Sequence, residues 1–234
     1  MRQKARKNRR HGKRIVLTLL VLILTISAVL AVANQTVLQD FLHFNASVAS
    51  MEHGWNLILV NGEYKIPKDW NVELTELSNG QSVDSRIYPD LQQMFDDMRA
   101  QGVYPVVASG YRTAKKQQEL MDEKVNSFLA QGYSKSEAKS EAKKWVAGVG
   151  YSEHQTGLAV DINADGVNSS GQQVYAWLAD NAWKYGFILR YPEDKTEITK
   201  TDYEPWHYRY VGKEAAKEIY ESGLCLEEYI GMMN

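Results

Sequence analysis

Tyr151-Ser152-Glu153-His154-Gln155-Thr156-Gly157-Leu158-Ala159-Val160-Asp161 places an imidazole and a carboxylate seven residues apart, with a glycine between them. Histidine and aspartate are two of the side chains that hold zinc through nitrogen and oxygen. From Leu158 to Ile162 the residues alternate: Leu158, Val160 and Ile162 fall on one face, Ala159, Asp161 and Asn163 on the other. That period is the mark of a half-buried strand. An odd spacing on a straight strand would send His154 and Asp161 to opposite faces. The chain must therefore turn between them, and Gly157 is the natural place. The small Ala159 beside Asp161 leaves room on that face for a metal ion.

A second cluster lies downstream at Glu204-Pro205-Trp206-His207-Tyr208. His154, Asp161 and His207 would supply three protein ligands, the open arrangement of a catalytic zinc site with a fourth position left for water. Glu204 is then free to act as general base. A strand would put Glu204 and His207 on opposite faces, so the reading needs a bend. Pro205 disfavours helix at Glu204 and can start one.

Together, Ser152-x-His154-x-x-Gly157-x-Ala159-x-Asp161 and Glu204-x-Trp206-His207 resemble the signature of the VanY-type zinc D-alanyl-D-alanine carboxypeptidases. That family shares its fold with VanX dipeptidases and the zinc domain of hedgehog proteins. Ser109-Gly110-Tyr111-Arg112 followed by Gln117 is similar to a third family element, and Asn181 to Pro192 to a fourth. The resemblance runs from about Asn56 to the C-terminus. It implies an α+β fold whose antiparallel sheet carries the metal ligands, with helices packed around it. It also implies one Zn2+ per chain and cleavage of C-terminal D-alanine from peptidoglycan stem peptides. Arg112 would bind a carboxylate or steady an oxyanion. Ser152 would meet the substrate's terminal carboxylate, and Gln117 and Ser109 are further substrate contacts, although a serine at position 109 can equally cap the turn. Trp206 would form a pocket wall. Relatives often carry a proline just before the Gly-x-Ser-Glu-His segment, where this chain has Val149-Gly150.

Length and charge fit this reading. The chain has 234 residues and an apolar fraction of 44%, enough for one domain and an appendage. Its formal charge of −2 hides an asymmetry. Eight of the 27 basic residues lie within residues 1–14; the other 19 face 29 acidic ones. The body is thus acidic, which argues against nucleic-acid binding. The single cysteine, Cys225, excludes an intrachain disulfide and reads as a small buried residue.

Residues 1–14 read as a basic cytoplasmic flank. Residues 15–33 are uncharged and as a helix would span about 28 Å, close to the hydrocarbon thickness of a bilayer. A retained transmembrane anchor is favoured, with the C-terminal part outside the cell. The competing reading is a signal peptide cleaved near Ala31-Val32-Ala33. No cysteine follows the apolar run, which excludes a lipoprotein anchor. Residues 34–54 read as a tether, in which His43 and His53 lack partners at ligand spacing, and 55–234 as the zinc domain.

Within that domain, the apolar run Trp55 to Gly62 resembles a strand of the family, Asp84 to Ile87 reads as extended and Tyr88 to Gln101 as a helix with Leu91, Met94, Phe95 and Met98 in the core. Val103 to Ser109 predicts a strand. Thr113 to Gln131 and Ala138 to Val146 predict two helices, the second opened by the capping box Ser134-Lys135-Ser136-Glu137. Gln172 to Tyr185 predicts a helix ended by Gly186, with Val174, Trp177, Leu178 and Trp183 in the core. Strands follow at Phe187 to Tyr191 and Tyr208 to Val211, separated by a charged loop from Pro192 to Asp202. Helices from Gly212 to Ser222 and Leu226 to Met232 close the chain.

Four functions remain open at this point. The D,D-carboxypeptidase is favoured. An L,D-carboxypeptidase acting on tetrapeptide stems would have the same metal site. An endopeptidase has no use for the carboxylate-binding Arg112 and Ser152. A non-enzymatic zinc module that binds cell wall has no use for a base at Glu204.

Overall fold

The computed structural model describes residues 47–233. The basic flank, the expected membrane segment and most of the expected tether lie outside the described residues. Among the described residues no helix is long and apolar enough to cross a membrane.

The architecture is α+β. A short parallel pair, β1 (Ser47–Val48) with β2 (Tyr64–Lys65), and an antiparallel hairpin, β3 (Leu74–Glu76) with β4 (Ser82–Asp84), precede helix α1 (Tyr88–Ala100). Strand β5 (Pro105–Ser109) then leads to α2 (Ala114–Ala130) and α3 (Lys135–Ala142). Strand β6 (Ala159–Ala164), α4 (Gly171–Asn181) and β7 (Phe187–Leu189) follow. A single-turn helix α5 (Thr196–Thr199), strand β8 (His207–Tyr210), α6 (Lys213–Ser222) and α7 (Leu226–Met233) complete the domain. The central sheet has the order β5-β6-β8-β7, with every neighbouring pair antiparallel.

Register builds the site. Ser109 pairs with Asp161, and Asp161 pairs with His207. Directly opposed residues share a face with Cβ atoms about 5 Å apart, so the three form one row across the sheet. A register irregularity between Val107 and Ser109 brings Ser109 into that row. On the other face Val160, Ile162, Phe187 and Tyr208 join the fully buried Met94 and Met98 of α1 and the buried Leu178 of α4 in the main core. Ile188 packs in a second cluster with Val211, Ala216, Ile219 and Leu226, under α6 and α7. The helix-period residues Leu91, Met94, Phe95 and Met98 are all buried, as expected of an amphipathic face.

Several expected elements differ, among them the helices expected to reach Val146 and Tyr185, which end at Ala142 and Asn181. Trp55 to Gly62 is no strand: a 3-10 turn over Trp55–Leu57 opens it, and the rest is irregular. Ile58 and Val60 are nevertheless fully buried. The strand expected over Asp84 to Ile87 ends at Asp84, because Ile87 already turns in αR geometry to start α1, with proline in its first turn. The charged loop from Pro192 folds into a 3-10 turn (Glu193–Lys195) and α5. The capping box at Ser134 and Glu137 forms as expected, and Cys225 is buried.

Gly157 sits in the left-handed region at φ 76°. An added Cβ would lie 2.9 Å from Val72 Cγ2 and 3.1 Å from the Asp84 nitrogen. Both the backbone strain and the contact oppose a side chain. Gly157→Ala is expected to lower stability by about 1–3 kcal/mol in chemical denaturation, with zinc affinity falling as the His154 turn shifts.

Candidate active site

His154 lies in a 3-10 turn, Glu153–Thr156, that ends at Gly157 and feeds β6. It therefore reaches the site from the turn, and the sheet itself carries Asp161 and His207. The His154 Nδ1 atom is 2.8 Å from the Gly110 carbonyl oxygen. That oxygen can only accept, so Nδ1 carries the hydrogen and Nε2 presents its lone pair. Gly110 must be glycine for this approach, since a Cβ there would overlap the Ser82 carbonyl.

The bend at Pro205 is present. The His207 N–H donates to the Glu204 carbonyl at 3.1 Å across a Pro205-Trp206 turn. It brings the Glu204 carboxylate within 3.7 Å of His207 Nδ1. Trp206 is half-buried, and its carbonyl accepts from Ile162 at 2.8 Å.

Asp161 is the hub. Its Oδ1 is 2.9 Å from His207 Nδ1, and its Oδ2 is 3.3 Å from His154 Nε2 and 3.0 Å from Arg112 Nη2. Arg112 is fixed by a second bond, Nε to Ser109 Oγ, at 2.9 Å. Ser109 thus orients the guanidinium.

The electrostatics follow from this packing. Burial alone would raise the Asp161 carboxyl, but hydrogen bonds and charge from His154 and His207 hold it far below the carboxylate range. Burial works to lower His207, yet Asp161 and Glu153 outweigh it and push the imidazole up to about 9. His154 is lowered, chiefly by burial. Burial raises Glu204; nearby His207 opposes that rise and Asp161 adds to it. A carboxyl moved toward neutrality suits a proton carrier.

His154, Asp161 and His207 each offer a ligand atom, and these atoms lie within 4.8 Å of one another. Tetrahedral zinc with bonds near 2.1 Å needs donors roughly 3.4 Å apart. The separations of 3.3 Å and 2.9 Å both lie slightly below that value. Two imidazole nitrogens and one carboxylate oxygen therefore fit zinc in type and spacing, with Glu204 beside the trio.

Two other expected substrate contacts, Gln117 and Ser152, are buried. Gln117 is buried in the first turns of α2, and its Nε2 donates to the Ala147 carbonyl at 2.7 Å. Among the described residues no hydrogen bond ties it to the cluster, and its buried Oε1 has no hydrogen-bond partner. Ser152 is buried at the start of the His154 turn.

Glu153 was not singled out in the sequence, although it adjoins a ligand. Its Oε1 accepts from Arg190 Nε at 2.8 Å and Arg209 Nη1 at 2.6 Å, with all three side chains fully buried. Arg190 also forks onto Glu227 of α7, at 2.8 and 2.6 Å. The available signal was an arginine two residues after His207. That spacing on a strand puts Arg209 on the ligand face, where only a buried acid can balance it.

Glu227 gives this cluster a pH signature. Burial alone would raise its carboxyl, but Arg190 outweighs this and holds it below its ordinary 4.5. A depressed carboxyl contributes stability above its unfolded pKa and loses it as pH falls through the folded value. Glu227→Gln is expected to cost about 3 kcal/mol at neutral pH. In denaturation curves that difference from the unsubstituted protein should shrink as pH drops below about 4.5.

With this geometry in place, comparison with known proteins decides the family. Residues 80–213 match the family model described as VanY, D-alanyl-D-alanine carboxypeptidase. The chain belongs to the VanY family. A D-alanyl-D-alanine carboxypeptidase of Enterococcus faecalis is 62% identical over 179 residues, 76% of this chain and 67% of that protein. Among solved structures, VanYB in complex with D-alanine-D-alanine superposes with a TM-score of 0.74 at 61% identity, covering 77% of this chain and 99% of that one. A variant of the vancomycin-resistance D,D-pentapeptidase VanY from a VanB-type cassette, in complex with Zn(II), gives 0.73 at 62% identity over 75% and 99%. The VanY fold is thus the α+β fold described above.

Proposed function

We propose that this VanY-family chain is a zinc-dependent D-alanyl-D-alanine carboxypeptidase that removes the C-terminal D-alanine from peptidoglycan stem peptides. The observation that carries the reading is the convergence of His154, Asp161 and His207 beside the non-ligating Glu204, with Arg112 bound to Asp161. His154, Asp161 and His207 would hold the metal. Bound there, zinc supplies a Lewis acid that activates water at neutral pH.

The chain's own groups do the rest. Glu204 accepts the proton of the attacking water and passes it to the leaving D-alanine amine. Arg112, fixed by Ser109 and Asp161, presents a guanidinium to the developing oxyanion or the terminal carboxylate. Ser152 and Trp206 line the substrate's end, and Gln117 shapes the neighbouring loop through Ala147. A binding module would have no need of a raised, half-buried carboxyl beside the ligand set.

The test uses the full chain, purified in detergent with zinc. It is incubated with a stem pentapeptide ending in D-Ala-D-Ala and separately with the tetrapeptide. Loss of alanine from the pentapeptide alone, seen by mass spectrometry, supports the D,D reading. Loss from the tetrapeptide would move the assignment to an L,D-carboxypeptidase, and loss from neither would sink both.

We also propose that residues 15–33 anchor the enzyme in the cell membrane, with residues 1–14 in the cytoplasm, 34–54 as tether and 55–234 outside. The basic flank and the uncharged run support this. Recovery of the chain in a salt-washed membrane fraction would bear it out. Appearance of a shortened chain in the medium would favour signal cleavage.

A further inference from the structure

The buried cluster behind His207 is arranged in a way that structural pairing alone does not require. Glu153 has two carboxylate oxygens and two guanidinium neighbours, Arg190 and Arg209. Both guanidiniums converge on Oε1. Among the described residues, the second oxygen, Oε2, is buried without a hydrogen-bond partner. Leaving it bare is costly, because a buried acceptor without a donor forfeits its hydration. The atom it faces, at 3.6 Å, is His207 Nε2, which is also buried without a hydrogen-bond partner. Two orphaned atoms of complementary type thus stand opposite each other in a fully buried setting.

The other ring nitrogen explains the arrangement. His207 Nδ1 points to Asp161 and Glu204, which makes it the nitrogen offered to a metal. Once Nδ1 gives its lone pair to a cation, the ring's hydrogen must sit on Nε2. Among the described residues, the acceptor that faces it is Glu153 Oε2, at 3.6 Å. A slight turn of the ring would bring the 3.6 Å separation into hydrogen-bond range. Ligating histidines commonly donate their second N–H to a carboxylate in this way, which fixes ring orientation.

We propose that Glu153 is a positioning residue of the metal site: it receives the Nε2 hydrogen of His207 and holds Nδ1 toward the metal, resting on the ligand assignment above. Arg190 and Arg209 hold the carboxylate in place by occupying its other oxygen. Arg209 is itself pinned by the carbonyls of Ile58 at 2.6 Å and Asn56 at 3.2 Å. Arg190 is pinned by Glu227. Residues 56–58 and helix α7 therefore brace His207 through Arg209, Arg190 and Glu153.

Two measurements test this on the full chain. In a competition titration against a chromophoric chelator, Glu153→Gln is expected to bind zinc about 10–100-fold more weakly than the unsubstituted protein, with circular dichroism unchanged. In long-range proton–nitrogen NMR spectra of the unsubstituted zinc-loaded protein, His207 is expected to be metal-bound through Nδ1, with a slowly exchanging proton on Nε2. A folded Glu153→Gln variant whose zinc affinity stays within about twofold would overturn the proposal. So would coordination through Nε2. If Glu153→Gln does not fold, the spectrum of the unsubstituted protein decides alone. Failure of the unsubstituted chain to bind zinc would overturn the ligand assignment itself, and the proposal with it.

Discussion

Glu204→Gln is expected to lower kcat for D-alanine release by about 10²–10⁴-fold while zinc stays bound. The substitution keeps the shape of the side chain and its position beside the segment that follows β7, where the Glu204 N–H donates to the Tyr191 carbonyl at 3.3 Å. It removes only the ability to take and return a proton. Glu204 stands outside the converging donor trio, at 3.7 Å from His207 Nδ1, so the metal loses no ligand. Because the missing interaction belongs to the transition state, kcat and kcat/KM should fall together, with KM little changed. Steady-state kinetics on the pentapeptide, paired with metal analysis of the purified variant, check both halves. A variant that loses its zinc would show Glu204 to be a ligand. One that keeps activity within about tenfold would leave the reaction without its base.

How far the sequence carried this site depends on the range of each interaction. Asp161 and His207 were legible because alternation fixed the face of each strand, and the sheet register then set them opposite each other. The bend at Pro205 and the turn at Gly157 were legible because proline and glycine act locally. Glu153 was not, because its partners Arg190 and Arg209 come from two other strand regions, 37 and 56 residues away. The misread strand at Trp55 to Gly62 has the same origin. Its apolar residues are buried as a strand's would be, but the carbonyls of Asn56 and Ile58 are taken by the Arg209 guanidinium. No neighbouring strand is needed to satisfy them, and the pattern that signals burial gave no sign of how the backbone would be paired. The family resemblance filled part of this gap for Arg112, which the structure ties to both Ser109 and Asp161.

Asp161→Ala is expected to have the other large effect, since one carboxylate organises three side chains, His154, His207 and Arg112. It removes the only anionic member of the ligand trio, and zinc affinity should fall by on the order of 10²–10³-fold or more, roughly one ligand's share of a strong site. Excess zinc should not restore the rate in full. Without Asp161 the Arg112 guanidinium keeps only its bond to Ser109 and faces the metal's charge with no acid between them. Glu204, the nearest remaining carboxylate to His207 Nδ1, would be drawn into the vacated ligand position and lost as a base. Asp161→Asn separates the two contributions. It keeps an oxygen for the metal and the shape of the side chain, but not the charge that balances Arg112. Zinc affinity for Asn should therefore lie between aspartate and alanine, while kcat at saturating zinc remains low in both. Chelator competition and kinetics at saturating zinc measure the two quantities separately. Unchanged zinc affinity in Asp161→Ala would remove this carboxylate from the ligand set.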